Sequence, residues 1–283
     1  MQPLSTSPLF IRPKISKKEF SLFKHLIADE FGIALTENKS ALVQSRLAKW
    51  IIKLNYSNYT ELYQHFCADS SELILLADAI TTNVTSFFRE EKQWEYLKDY
   101  ISQLKQNPNN KKLRIWSAAC SSGQEPYSIA LFLLENIPDL YQWDIKILAT
   151  DLSEDILQQA TKGEYRQKDI KGLPKTYINK YFTREKNTKG EVLFRIKEKI
   201  KQMVLFRSFN LVTGNYRLFK NPFDLIFCRN VMIYFDNKTQ TQLIKNLLQA
   251  MHTESILLIG HAESITHTKM PVKLILPSIY AKT

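Results

Sequence analysis

Between residues 16 and 80 apolar positions recur every three or four residues. Phe20, Phe23, Leu26 and Ile27 form one stripe that stops at Gly32, a residue suited to a helix C-cap. Leu42, Val43, Leu47, Trp50, Ile51 and Leu54 form a second. Shorter helices are predicted around 61–67 and 72–79. The first part of the chain therefore reads as an all-helical domain with its linker, residues 16–90, after a loose lead-in over 1–15 that contains three prolines. A further helix over 92–104 runs into the turn-rich Gln106-Asn107-Pro108-Asn109-Asn110.

Beyond that turn the period changes. Leu113-Arg114-Ile115-Trp116 reads as a buried strand, and helices over 126–135 and 154–161 alternate with a strand over 145–149. A strand over 223–228, a helix over 238–251, a strand over 255–259 and a last hairpin arm within 272–280 continue the series. Strands alternating with helices imply βαβ units. The expected fold is α/β: a doubly wound, mostly parallel, Rossmann-like sheet over 91–283. Residues 163–208 break the alternation. They are expected to form an inserted small antiparallel sheet that includes Val192-Leu193-Phe194-Arg195-Ile196, as an edge strand, and Met203-Val204-Leu205-Phe206.

Composition changes little in this picture. With 44% hydrophobic and 24% charged residues the chain is globular, and its longest apolar runs fall far short of a membrane span. The opening segment has no apolar core of the kind a secretory signal needs. Cys67, Cys120 and Cys228 are odd in number and never spaced as C-x-x-C, so neither disulfides nor a metal is expected, and the chain is placed in the cytoplasm as a monomer. The net charge of +11 is localised: residues 161–220 hold 16 Lys and Arg against 5 Asp and Glu. A solvated lysine face is the simple reading, and an acidic partner the functional one. No zinc-finger or RNP-like pattern accompanies it, so nucleic acid is not expected.

In a doubly wound sheet, ligands bind beyond the carboxyl ends of the strands. The first such loop is Ser117-Ala118-Ala119-Cys120-Ser121-Ser122-Gly123-Gln124-Glu125-Pro126. It holds one glycine where dinucleotide binders use three, and its carboxylate, Glu125, would repel a diphosphate and attract a cationic or amino-bearing ligand. Asp151 ends the second strand, where an acidic residue accepts hydrogen bonds from ribose hydroxyls. Ser153 already offers the following helix its N-cap, which leaves Asp151 free for a ligand. A nucleoside with a positive, amino-acid-like appendage and no phosphate describes S-adenosylmethionine.

Three blocks carry a resemblance. They are Thr81-Thr82-Asn83-Val84-Thr85-Ser86-Phe87-Phe88-Arg89-Glu90, the Gly123-Gln124-Glu125-Pro126-Tyr127-Ser128 loop, and Phe223-Asp224-Leu225-Ile226-Phe227-Cys228-Arg229-Asn230-Val231-Met232-Ile233-Tyr234-Phe235-Asp236. Together with Gly260-His261-Ala262-Glu263-Ser264 they resemble the CheR-type chemotaxis-receptor methyltransferases, a class I methyltransferase family, over about residues 20–281. The resemblance implies methyl transfer from S-adenosylmethionine to glutamate side chains on a chemoreceptor's cytoplasmic helices. It implies that Asn83, Thr85 and Arg89 approach the cofactor, that Glu125 holds its amino group and Asp151 its ribose, and that Asn210 and Leu211 meet its adenine edge. Arg229 and Asn230 would close the floor beside the sulfonium. Arg89 would steer the substrate carboxylate, and Tyr234 would line the reaction site. The basic insertion would dock on the receptor, in some members by pairing with its C-terminal peptide. Met251-His252-Thr253-Glu254 departs from the family's usual turn before the late strand.

Two other functions compete. A non-catalytic S-adenosylmethionine-binding regulator would be expected to lose Asp151, Glu125 or Arg89, and all three are present. A nucleic-acid methyltransferase would carry an Asn/Asp-Pro-Pro-Tyr/Phe motif after the fourth strand, where this chain has Arg229-Asn230-Val231-Met232.

Overall fold

The computed structural model describes residues 13–81, 84–106, 111–265 and 270–283, and the chain divides into two compact units, 1–82 and 83–283. The first unit is helical: α1 (Lys17–Phe31), α2 (Ser40–Leu54), α3 (Tyr59–Ala68) and α4 (Ser70–Ile80). Ser16 and Glu19 form a capping box at the start of α1, and Gly32 closes the helix with φ 67°, a left-handed conformation that costs glycine nothing. Glu19 does a second task. Its carboxylate also accepts the N–H groups of Tyr59 (2.9 Å) and Thr60 (3.0 Å), so one side chain caps α1 and latches the start of α3. The predicted stripes meet in the core as Phe20, Phe23, Ile27, Val43, Leu47 and Ile51, whereas Leu42 faces solvent.

The second unit begins with α5 (Glu91–Leu104), followed by β1 (Lys112–Ala118), α6 (Gln124–Asn136), β2 (Asp144–Asp151) and α7 (Glu154–Lys162). The insertion supplies β3 (Glu164–Arg166), α8 (Lys175–Tyr181), β4 (Phe182–Lys186), β5 (Val192–Ile196) and α9 (Glu198–Lys201). Then come β6 (Val204–Ser208), β7 (Phe223–Cys228), α10 (Asn237–Gln249), β8 (Met251–Ile259), β9 (Val272–Leu276) and β10 (Ile279–Lys282). The main sheet runs β6-β2-β1-β7-β8-β10-β9, parallel through β8, with β10 antiparallel to both neighbours. Central strands are buried on both faces. Leu113, Ile115, Leu225 and Phe227 join one cluster, and Trp116, Ile226, Leu257 and Ile259 join another beside α10.

Strand order reverses between β1 and β7, whose last residues, Ala118 and Cys228, are register partners. The loops after these strands diverge there and leave the crevice where such sheets bind ligands.

Two expectations about the insertion are corrected. Met203-Val204-Leu205-Phe206 does not belong to the small sheet, because β6 pairs with β2 in parallel from Ile147↔Val204 to Asp151↔Ser208. The small sheet runs β3-β5-β4, so β5 is its centre and not its edge. Alternation in β5 correctly separates Phe194 and Ile196, both buried, from Leu193 and Arg195. It carries no information about which strands flank it. No described helix is long and apolar enough to cross a membrane.

Candidate S-adenosylmethionine site

Ser117, near the end of β1, points its hydroxyl at Glu125 in the first turn of α6, with Oγ donating to Oε1 at 2.6 Å. Between them the chain turns through left-handed conformations at Ala119 (φ 67°), Ser121 (φ 49°) and Gly123 (φ 93°). A Cβ on Gly123 would lie 3.0 Å from both Ala160 Cβ and the Tyr165 hydroxyl, so glycine is needed for space as well as for φ. The loop's amides are already used: Cys120 N–H donates to the Thr150 carbonyl (2.8 Å) and Ser121 N–H to Asp151 Oδ2 (2.8 Å). Such a loop offers little of the open amide nest that a diphosphate needs. The Ser121 hydroxyl is buried with no hydrogen-bond partner among the described residues, a polar atom suited to a bound ligand.

Asp151 corrects a further expectation. Ser153 does cap α7, its Oγ accepting the Ile156 N–H, but Asp151 is not left idle: Oδ2 takes Ser121 N–H and Oδ1 takes Ser153 N–H at 3.3 Å. The carboxylate fixes the first loop from the end of β2.

From the other side of the crevice β7 delivers Arg229, which is buried. Its Nη1 lies 3.4 Å from Glu125 Oε2, its Nε 3.3 Å from Glu90 Oε2, and its Nη2 donates to the Arg89 carbonyl. Glu90 Oε1 in turn accepts the backbone N–H of His261 (3.1 Å) and the Asn230 carboxamide (3.5 Å). One buried guanidinium thus serves two carboxylates, and Asp151 and Glu263 stand nearby. With the Arg89 guanidinium also acting on Glu125, four carboxylates share two guanidinium groups, and the crevice suits a cation. Burial pushes the Glu125 carboxyl above its ordinary range, opposed by Arg229 and the Ser117 hydroxyl. Burial also raises the Cys120 and Cys228 thiols, which makes them poor nucleophiles.

The remaining nominated residues are dispersed around this centre. Arg89 donates from Nη1 to the Val84 carbonyl (2.9 Å), while the neighbouring carboxylate, Glu90, is engaged by Arg229. Thr85 is partly buried in the same connecting segment, and Asn83 lies outside the described residues. Asn210 turns its carboxamide oxygen onto the N–H groups of Val212 and Thr213, while Leu211 is buried beneath it. That loop is braced by Trp116, whose ring meets Phe209 and Tyr216 edge-on. Tyr234 ends a single 3₁₀ turn, Met232–Tyr234, and is half-buried. Phe87 and Phe88 are packing residues, Phe87 against Tyr165 and Phe182, Phe88 against Trp94 and Tyr177.

Sequence reasoning missed Ser117 and Glu90 as members of the site, and gave Glu263 no individual role. Glu90 was visible only as a neighbour of Arg89. Its true partner is 139 positions away in the chain.

A parallel sheet with one antiparallel strand inserted near its edge, and a cation-seeking crevice at the switch point, define a class I methyltransferase. The chain belongs to the CheR methyltransferase family: residues 83–278 match the CheR methyltransferase SAM-binding domain, and residues 18–81 match the CheR all-alpha domain. It is 40% identical over 276 residues to a chemotaxis protein methyltransferase of Borreliella burgdorferi, covering 95% of each chain. To the chemotaxis protein methyltransferase of Escherichia coli it is 32% identical over 277 residues, covering 95% of this chain and 92% of the other. The protein is a methyltransferase whose cofactor is S-adenosylmethionine.

The charge set makes a pH-dependent prediction. If Glu125 takes a ligand's ammonium, as the resemblance implies, it must be ionised, and its raised pKa brings protonation closer to neutrality. Cofactor affinity should be level near pH 8 and fall as pH drops through the Glu125 pKa. Glu125→Gln should weaken binding at pH 8 by about tenfold to a hundredfold and flatten the acid fall. Titration calorimetry with S-adenosylhomocysteine at several pH values reads both effects, and an unchanged acid fall in the variant would remove Glu125 from the amine contact.

Proposed function

We propose that this chain transfers the methyl group of S-adenosylmethionine to glutamate carboxylates on the cytoplasmic helices of a chemoreceptor, forming methyl esters. The observation that carries this reading is the Glu90–Arg229–Glu125 set, a buried and net negative cradle at the carboxyl ends of β1 and β7. When bound, the cofactor supplies an electrophilic methyl on a positively charged sulfur. A glutamate carboxylate is already ionised at neutral pH, with an ordinary pKa near 4.3, so no general base is required. The protein's task is to exclude water and hold that carboxylate in line.

In this reading Glu125 takes the cofactor's amino group, Asp151 its ribose and the Asn210-Leu211 turn its adenine edge, with Thr85, Arg229 and Asn230 completing the wall. Arg89 steers the substrate carboxylate by a charge-assisted contact, and the Tyr234 hydroxyl lines the position of the reacting oxygen. The test is mass spectrometry of a receptor cytoplasmic fragment after incubation with enzyme and cofactor. Methyl mass on glutamate, lost in alkali, supports the reading. Methyl mass confined to lysine, arginine or nucleic acid refutes it.

The insertion's basic surface attracts the acidic receptor, and the open strands of its sheet are β3 and β4. Lys197 and Lys201 have internal duties: Lys197 Nζ donates to the Lys180 carbonyl (2.8 Å), and Lys201 pairs with Glu198 (3.4 Å). Arg184, Lys186 and Lys189 are the exposed cations along β4 and its hairpin. Changing all three to Glu should slow receptor methylation several-fold at low ionic strength, with added salt closing the gap and cofactor binding unaffected. Equal rates at low salt would leave a solvated lysine face.

A further inference from the structure

We propose that Glu263 is a positioning residue for methyl transfer, its carboxylate setting the backbone that carries Asn230 and Tyr234. This rests on the reading that Tyr234 lines the reaction site. Glu263 lies in the loop after β8, and its Oε2 accepts the N–H groups of Gly260 (2.6 Å) and Asn230 (3.0 Å), while Oε1 accepts that of Ile233 (3.3 Å). Asn230 sits at φ 59°, a left-handed conformation a non-glycine residue keeps only when its surroundings hold it. Ile233 is the residue before Tyr234. One carboxylate therefore grips both ends of the segment between β7 and the 3₁₀ turn and ties it to the loop after β8.

Gly260 completes the clamp. A Cβ there would lie 2.6 Å from Asn230 Nδ2, 2.8 Å from Glu263 Oε2 and 2.9 Å from Asn230 N. Only glycine lets the two loops approach closely enough for the carboxylate to bridge them. Arg229 is held separately, by Glu90, Glu125 and the Arg89 carbonyl, so loosening Glu263 displaces Tyr234 without removing the cation-binding cradle.

Glutamine at 263 keeps the shape but faces a donor NH₂ toward N–H donors. Glu263→Gln should lower kcat by about tenfold to a hundredfold, the effect of a small misplacement at a reacting centre. Affinity for S-adenosylhomocysteine should fall far less than kcat, because Asn230 is one of several residues in the cofactor wall and the Arg229 cradle stays in place, and retained binding also shows that the variant is folded. Gly260→Ala, which breaks the clamp sterically, should reproduce this split and serves if Glu263→Gln fails to fold. In a double-mutant cycle with Tyr234→Phe, the double variant should be little slower than the slower single one. A slow Tyr234→Phe combined with wild-type kcat in Glu263→Gln and Gly260→Ala, or with fully additive losses, overturns the positioning role alone. Full activity of Tyr234→Phe overturns the Tyr234 reading and this inference with it.

Discussion

Replacing Arg229 by methionine should destabilise the second unit by about 3 to 5 kcal/mol at neutral pH and abolish measurable methyl transfer. Removing one partner of a buried ion pair leaves the other charge without solvent or counterion, and here two carboxylates, Glu90 and Glu125, lose the same guanidinium. Lysine is not a substitute. A single ammonium cannot reach Glu90, Glu125 and the Arg89 carbonyl with the fork that guanidinium provides. The pH dependence gives the sign. Glu125 is already raised by burial, and losing Arg229 raises it further above its unfolded value, so the variant's stability is retained at low pH and lost as pH rises through the new pKa. Urea unfolding should show a wide gap from wild type at neutral pH that narrows in acid. A gap that is absent at neutral pH, or that widens in acid, would contradict the buried charge set.

Asp151→Ala should weaken S-adenosylhomocysteine binding by about a hundredfold, the upper end of what charge-assisted hydrogen bonds contribute. The variant loses the proposed ribose contact. It also loses the acceptor for Ser121 N–H, which holds a loop turning through left-handed conformations at Ala119 and Ser121. Asp151→Asn keeps one acceptor oxygen and should fall between wild type and Ala. Calorimetry distinguishes them, and wild-type affinity in the Ala variant would remove both the ribose assignment and the loop-bracing role.

What sequence patterns revealed follows physical range. The Gly32 cap, the Ser153 cap of α7 and the span of β7 are local events, set by residues a few positions apart, and each is found where the pattern puts it. The cofactor class was readable because one glycine and one carboxylate in a short loop already exclude a diphosphate. Strand neighbours were not readable. The alternation of Val192–Ile196 defines two faces, yet whether β3 and β4 both flank it depends on pairings 6 to 31 positions away. Met203-Val204-Leu205-Phe206 looked like part of the insertion because charged stretches surround it, and only pairing with β2 assigns it to the main sheet. The same limit hid the site's inner ring. Glu90 to Arg229 and Glu263 to Asn230 are pairs between loops that the sheet brings together.

The most direct measurement is transfer of radiolabelled methyl from S-adenosylmethionine into host membranes by the purified protein, followed by alkali treatment of the labelled band. A glutamate methyl ester predicts label in a receptor-sized membrane protein that alkali releases as volatile methanol, with no label transferred by Arg229→Met. Label that survives alkali, or no transfer by wild-type protein that binds the cofactor normally, would contradict the account.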